Sequence, residues 1–437
     1  PRLCRQGLIV TTSTDPMAIP GQVGGRRRRW RAAYEADPIG FLTACRDRWG
    51  DVFTLEDGLV VVCDPEMAHR VLMGTNRESV FDADLLDGNK PPSTEEIERS
   101  MQVRTLMSQI LTPKAIRGQL PRLEQAVHAG VRRLAGMQRF DPVAVAQEVC
   151  VRAALPIYLD NPSPGLVPAL VASDRATQTL IAAAVHLPWW WPSPMRRRIL
   201  RTRRELRAEL LPLFTPNPTT SQSHRDRTDQ PTLLDRLHTA AVPTDLAMQT
   251  LGNALLSGIP AMSGAWCWVM HHLATRPDHV ARIRAEAADQ SGPNRELPYT
   301  TAFVRETLRT HPAAWMLGRD TIIPTAITDH FTVPTGTGIM ISPYLIHHDH
   351  RYWPDPDRFD PNRWLSPHPA HHRHAYLPFG VGPRVCVGMY LGQLLLTLTA
   401  AHIATHYRLT VTTPATAPSF VSLLLPTGLT LNLTPRA

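Results

Sequence analysis

The stretch Phe379-Gly380-Val381-Gly382-Pro383-Arg384-Val385-Cys386-Val387-Gly388 carries the strongest chemical signal in this 437-residue chain. It sets one cysteine in a glycine-rich loop, directly ahead of an apolar run from Leu391 to Ile403 that reads as a helix. A sulfur at a helix N-terminus meets unpaired backbone N–H groups and the positive end of the dipole, and both favour thiolate over thiol. Gly382 and Gly388 let the backbone bend close to the sulfur and let something flat lie against the loop. Arg384, two residues before the cysteine, offers a fixed cation to a carboxylate. A thiolate, a flat ligand and a cation for its acids together point to haem with cysteine as proximal ligand. The bland alternative is a buried structural cysteine ahead of a helix.

Phe379, Gly382, Arg384, Cys386 and Gly388 fill every fixed position of Phe-x-x-Gly-x-Arg-x-Cys-x-Gly, and in this the chain resembles the cytochrome P450 family. The resemblance implies Cys386 as the ligand of iron in haem b, with Phe379, Gly380 and Gly388 shaping the haem loop. Two further motifs follow the family's order. Glu306 and Arg309 stand three apart in a helix-like segment, which puts them on one face. Taken alone they would be an ordinary surface ion pair, worth about 0.3–0.5 kcal/mol. They precede Cys386 as the family's Glu-x-x-Arg does, and Pro356-Asp357-Arg358-Phe359 resembles its Pro-Glu-Arg-Phe element with Asp for Glu. The resemblance therefore assigns Glu306, Arg309 and Arg358 to a buried network behind the haem, concerned with folding and seating. It also implies haem carboxylate contacts from Arg104 and Arg319, with Ser100 where the family often has Trp or His. Structural salt bridging is the alternative for Arg104.

These residues need elements to position them. Phe53 to Val62, centred on Asp57-Gly58, reads as a β-hairpin. Most of the chain from there to Leu308 is helical in pattern, with breaks marked by Pro113, Pro121, Pro142, Pro156 and Pro188. Thr325 to Ile341 reads as short strands, and Ser419 to Leu433 as a terminal hairpin centred on Pro426-Thr427-Gly428. The expected fold is mainly α with small β-sheets, the cytochrome P450 fold, with haem between the central helix and the cysteine-loop helix. Residues 1–18 read as a loose N-terminal lead-in and 19–437 as a single domain.

Composition narrows the setting. Six scattered cysteines without paired spacing argue against a disulfide framework and for a reducing compartment. No apolar run is long enough for a membrane span, and Pro1 to Gly25 lacks both an apolar signal core and a start Met. A cytoplasmic bacterial protein, monomeric, is the expectation; two lysines against abundant arginine hint at a GC-rich genome. The net charge of +8, with basic runs at Arg26–Arg29 and Arg196–Arg207, reads first as solvated charge and then as docking for an acidic ferredoxin-type electron donor. Nucleic-acid binding would need an aromatic-interleaved stripe, which is missing. His347-His348-Asp349-His350 and His371-His372-Arg373-His374 lack metal-ligand spacing on one helix face.

The main departure from the family lies in the central helix, read as Leu251 to Arg276. Ser257-Gly258-Ile259-Pro260-Ala261-Met262 stands where the family usually has Ala-Gly-x-Asp-Thr-Thr. Gly258 is kept, while Pro260 replaces the acid and Ala261 the threonine that relay protons to bound oxygen. Pro260 has no N–H and is expected to kink the helix. Three readings follow: water, Ser257 or Ser263 replaces the relay; a substrate hydroxyl stands in; or oxygen insertion gives way to coupling, cyclisation, desaturation or rearrangement. A non-catalytic haem protein is a further alternative. Peroxide-using members carry Arg-Pro here, and Ile259-Pro260 lacks the arginine. Family analogy places substrate beside Ile259, Met262, Ala314, Trp315, Met316 and Thr427, an apolar set that suits a terpenoid, polyketide or aromatic peptide. Trp189-Trp190-Trp191 falls in the lid region, where packing is favoured over an entrance, and a secondary reading of Arg196–Arg198 beside it is a face for a membrane surface or a phosphate-bearing carrier protein.

Overall fold

The computed structural model describes residues 19–21, 28–80, 93–181, 193–214, 231–240, 242–289, 296–367 and 371–436. The tryptophan run 189–191, the loop 215–223, the lead-in 1–18 and the side chains of 26–29 lie outside the described residues. The described chain falls into two compact units. The first takes the described parts of Pro1–Ile97, Arg309–Phe359 and His368–Cys386; the second takes those of Glu98–Leu308, Asp360–Pro367 and Val387–Ala437.

The first unit is built on a five-stranded sheet in the order Val52–Glu56, Leu59–Val62, Gly338–Ile341, Leu317–Thr321, Ser79–Val80. The first two strands form the hairpin expected around Asp57-Gly58. Leu59–Val62 runs parallel to Gly338–Ile341, and the other pairs are antiparallel. β-Branched residues suit this pleated, half-buried surface. Val61, Val62, Ile339 and Ile341 are fully buried, as are Leu42 and Leu72 from helices Pro38–Trp49 and Pro65–Met73. Arg319 thus sits mid-strand, opposite Ile339, on a rigid support.

The described residues of the second unit form a helical bundle with two small two-stranded sheets. Helix Leu120–Ala135 buries Leu123, Val127, Val131 and Leu134, one stripe at helical spacing. Each such side chain contributes about 1.5–3 kcal/mol. The Asp141 side chain caps helix Pro142–Tyr158 by accepting the Val143 N–H at 2.8 Å. Helices Ile259–Thr275 and Met389–His406 are apolar on nearly every face, and both are core elements here.

Three expectations are corrected. The central segment is two helices, Thr244–Ser257 and Ile259–Thr275, parted at Gly258. Pro260 stands in the first turn of the second helix, where its missing N–H needs no partner, so the chain breaks rather than merely kinks. Pro156 does not end its helix, which runs on to Tyr158. The carbonyl freed one turn back belongs to Arg152, an exposed residue. Finally, Thr430–Pro435 pairs with Tyr407–Thr413, while Leu425–Pro426 pairs with Pro418–Ser419. The terminal hairpin centred on Pro426-Thr427-Gly428 is therefore replaced by two separate antiparallel pairs.

Candidate active site

The cysteine loop belongs to the first unit and is pressed onto the end of helix Pro65–Met73. Gly382 has φ +77°, and a Cβ there would lie 2.5 Å from the Leu72 carbonyl oxygen, so only glycine fits. The Cys386 N–H donates to the Phe379 carbonyl at 2.9 Å, Val385 N–H to Gly382 at 3.0 Å, and Gly380 N–H to Leu377 at 3.1 Å. These bonds close the loop and leave Cys386 exposed. The other four described cysteines are buried. Burial pushes the Cys45 thiol up to about 11, Cys63 and Cys150 to about 12, and Cys267 well above its usual range. A structural thiol behaves like those four, inert and protonated. Cys386, exposed, does not share their environment. Gly388 caps helix Met389–His406, which starts three residues after the sulfur.

Two guanidinium groups accompany this loop. Arg319 is 6% exposed and donates Nε–H to the Thr75 hydroxyl at 3.0 Å and Nη1–H to the Gly318 carbonyl at 2.6 Å. Arg384 donates Nε–H to the Asn76 side-chain oxygen at 3.0 Å. Burial, and then the charge of Arg384, pushes Arg319 down to about 10. A buried cation held beside a second cation on neutral acceptors suits anionic oxygens. An open cysteine with two such cations on one unit fits a haem that needs a thiolate ligand and has two carboxylates to satisfy. Arg104 and Ser100 are half-buried on helix Thr94–Ile110 of the second unit.

Glu306 and Arg309 are both 0% exposed, which rules out a surface ion pair. Glu306 accepts the Asp360 N–H at 2.9 Å and Arg363 Nε–H at 3.1 Å on one oxygen, and Trp364 Nε1–H at 2.9 Å on the other. Arg309 donates to the carbonyls of His347 at 2.8 Å and Arg358 at 3.2 Å, and stacks over the Trp353 ring. Arg358 thus meets Arg309 through its backbone, with its side chain exposed. The motif reading missed Arg363, Trp364, Asn76, Thr75 and His347. Only His347 carried a sequence signal, as one member of a histidine cluster.

At the central break, Ser257, Gly258 and Ala261 are exposed on one stretch, Pro260 and Met262 are half-buried, and Ile259 is 4% exposed. A Cβ on Gly258 would meet nothing within 4 Å, so no packing inside the protein demands this glycine. Ser263, one of two candidate relay hydroxyls, is buried and donates to the Ile259 carbonyl at 2.6 Å. Ser257 is the hydroxyl on the open face. Trp315 is buried and Ala314 and Met316 half-buried, with the Ser342 hydroxyl donating to the Trp315 carbonyl at 3.1 Å. Thr427 is exposed, and its hydroxyl donates to the Ala417 carbonyl.

Comparison with known proteins agrees with this geometry. Residues 32–431 match the family described as Cytochrome P450. A relative from Mycobacterium tuberculosis is 36% identical over 151 residues, an alignment spanning 33% of this chain and 32% of the relative, so this chain spans about a third of its length. The Cyclooctat-9-en-7-ol 5-monooxygenase of Streptomyces melanosporofaciens is 26% identical over 425 residues, spanning 91% of this chain and 90% of that one. A retinoic-acid-bound cyanobacterial CYP protein shares the fold at a TM-score of 0.76, with 19% identity, 95% of this chain and 99% of that chain covered. A zebrafish cytochrome P450 with abiraterone gives 0.70 at 21% identity, covering 91% and 99%. No helix among the described residues is long and apolar enough to cross a membrane. The chain therefore belongs to the cytochrome P450 family, whose cofactor is haem b.

Proposed function

We propose that this chain is a monooxygenase of bacterial secondary metabolism, acting on a hydrophobic small molecule, in which Pro260-Ala261 replaces the family's acid–threonine relay. The observation that carries it is the exposed Cys386 on the same unit as Arg384 and the buried Arg319. When bound, haem with a thiolate ligand supplies the oxidising chemistry. Cys386 provides that thiolate, and Arg319, Arg384 and Arg104 hold the carboxylates. Phe379, Gly380 and Gly388 shape the loop.

At the central break, Gly258 gives room for a close ligand, and the Pro260-Ala261 step supplies neither acid nor hydroxyl. With Ser263 committed to Ile259, protons reach this face from Ser257, from water, or from a hydroxyl on the substrate. The full-length Streptomyces relative acts, by its name, on an unsaturated alcohol, which favours a substrate hydroxyl. Ala314, Met316, Met262 and Thr427 are the proposed substrate contacts, together with Ile259 and Trp315. Electrons come from a ferredoxin and its reductase, in the cytoplasm, to a monomer; a carrier protein presenting the substrate is a further partner.

The same missing groups favour a second reading, a non-inserting oxidation such as coupling, cyclisation or desaturation. The test is turnover with a surrogate ferredoxin system under isotope-labelled dioxygen, using hydrophobic alcohols and their deoxy counterparts. Label in the product supports insertion, and its absence from a formed product selects the second reading. A preference for the alcohols supports substrate-assisted proton delivery. No substrate-dependent use of reducing equivalents would leave a non-catalytic haem protein. Cys386→His should abolish the thiolate-type carbon monoxide spectrum, and its survival would overturn the ligand assignment.

A further inference from the structure

His347 is fully buried at the end of helix Pro343–His347, and both its ring nitrogens are used. Nε2 lies 2.9 Å from the Leu377 amide nitrogen, and Nδ1 lies 2.9 Å from the Arg309 carbonyl oxygen. An amide N–H only donates and a carbonyl only accepts, so the ring carries its proton on Nδ1 and is neutral. Burial also holds this imidazole well below its usual pKa. The Arg309 guanidinium in turn donates to the His347 carbonyl at 2.8 Å, making the contact reciprocal. The ring is stacked with Tyr376, 5.7 Å between centroids, and stands edge-on to Trp353 at 6.1 Å.

The far side of this bridge leads directly into the cysteine loop. Leu377, held by Nε2, gives its own carbonyl to Gly380 N–H at 3.1 Å. Phe379, two residues on, accepts the Cys386 N–H at 2.9 Å. The backbone between Leu377 and Cys386 is therefore tethered at its entry by one imidazole, whose other edge is tied to the Arg309 backbone. Side chains that only filled this space, such as Leu, would remove the acceptor from the buried Leu377 amide N–H and this donor from the Arg309 carbonyl.

We propose that His347, as the Nδ1–H tautomer, is a positioning residue that couples the Glu-x-x-Arg helix end to the loop presenting Cys386, and so sets the thiolate on its ligand. The inference rests on the haem-thiolate reading above. It assigns a role in that reading to a side chain that touches neither cofactor nor substrate.

The experiment compares the haem-loaded protein with His347→Leu and His347→Gln. Gln retains one donor and one acceptor at a separation close to that of the two ring nitrogens, while Leu has neither. The readouts are the fraction of bound haem with a thiolate-type carbon monoxide spectrum, the iron reduction potential, and amide hydrogen exchange at Leu377 and Cys386. His347→Leu is expected to lower the ratio of thiolate-ligated to other haem by about tenfold or more, and to speed Leu377 exchange by a similar factor. His347→Gln is expected to restore most of both. A wild-type spectrum in His347→Leu overturns the proposal. So does a folded His347→Gln that loses the thiolate spectrum, or rapid Leu377 exchange in the unmodified protein. If His347→Leu does not fold, the last two outcomes still decide. If the unmodified protein itself shows no thiolate spectrum, the functional reading fails instead, and Leu377 exchange in His347→Gln against the unmodified protein still tests the tether.

Discussion

Replacing Arg319 by Met should stabilise the haem-free protein and weaken its hold on haem, two effects of opposite sign. Burial and the neighbouring Arg384 bring this guanidinium down from its ordinary range to about 10. At ~1.4 kcal/mol per pH unit, keeping it charged in the fold costs about 3 kcal/mol. The folded pKa lies below the unfolded one, so the cost is present in full at pH 7 and fades only as pH rises above about 10 into the ordinary arginine range. Met keeps an unbranched apolar stem out to the position of Nε and removes the charge. It also removes the bonds to Thr75 and Gly318, together worth about 2 kcal/mol, which leaves a net gain of about 1 kcal/mol. In the haem-loaded protein a charge-assisted contact to a carboxylate is lost, worth about 1.5–3 kcal/mol, or roughly tenfold to a hundredfold in affinity. The assay is urea unfolding of both forms, together with the rate of haem transfer to excess haem-scavenging globin. Equal destabilisation of both forms, with unchanged haem transfer, would refute the assignment of Arg319 to a haem carboxylate.

Gly382→Ala places a Cβ 2.5 Å from the Leu72 oxygen at φ +77°, and should destabilise the protein by about 3 kcal/mol or more in denaturant unfolding. Gly258→Ala meets open space at φ −83°, so it should raise stability by about 0.5–1 kcal/mol while slowing carbon monoxide binding and turnover. Slowed binding without lost stability separates a ligand-facing glycine from a packing one. Burial pushes Asp174 up to about 6, against donors from Gln178 and Gln147 and the charge of Arg175. Its ionised form therefore costs stability above that pH, and the cost vanishes below 3.8. Asp174→Asn should be more stable than the unmodified protein by about 3 kcal/mol at pH 8. The two unfolding curves should converge as pH falls from 6 to 4.

Much of the cysteine loop was legible because its logic is local. Glycines at 380 and 382 meet the demand for positive φ, and Cys386 bonds back to Phe379 within seven residues. The Asp57-Gly58 hairpin and the helix start at Pro142 were readable for the same reason: turns and caps are closed by neighbours in sequence. The spacing of Glu306 and Arg309 identified a shared helix face, but not what each would touch. Glu306 meets Arg363, 57 residues away, and Arg309 meets the backbone of Arg358, 49 away.

Tertiary packing decided which of several chemically capable groups remain available. Ser257 and Ser263 look alike as relay hydroxyls, yet burial commits the second to Ile259 and leaves the first open. Pro260 promised a kink, and the chain instead restarts a helix around it, because proline costs little in a first turn and about 3 kcal/mol in an interior. His347 read as one of a loose cluster of histidines. The tertiary fold places its two nitrogens against residues 30 and 38 positions away and fixes its proton. The sequence by itself determined the family and made the cysteine loop legible, since those rest on contiguous residues and short-range geometry. Which cations are buried, which hydroxyls are spent and what holds the loop in place depend on contacts up to 308 residues apart, and only the tertiary structure decided them.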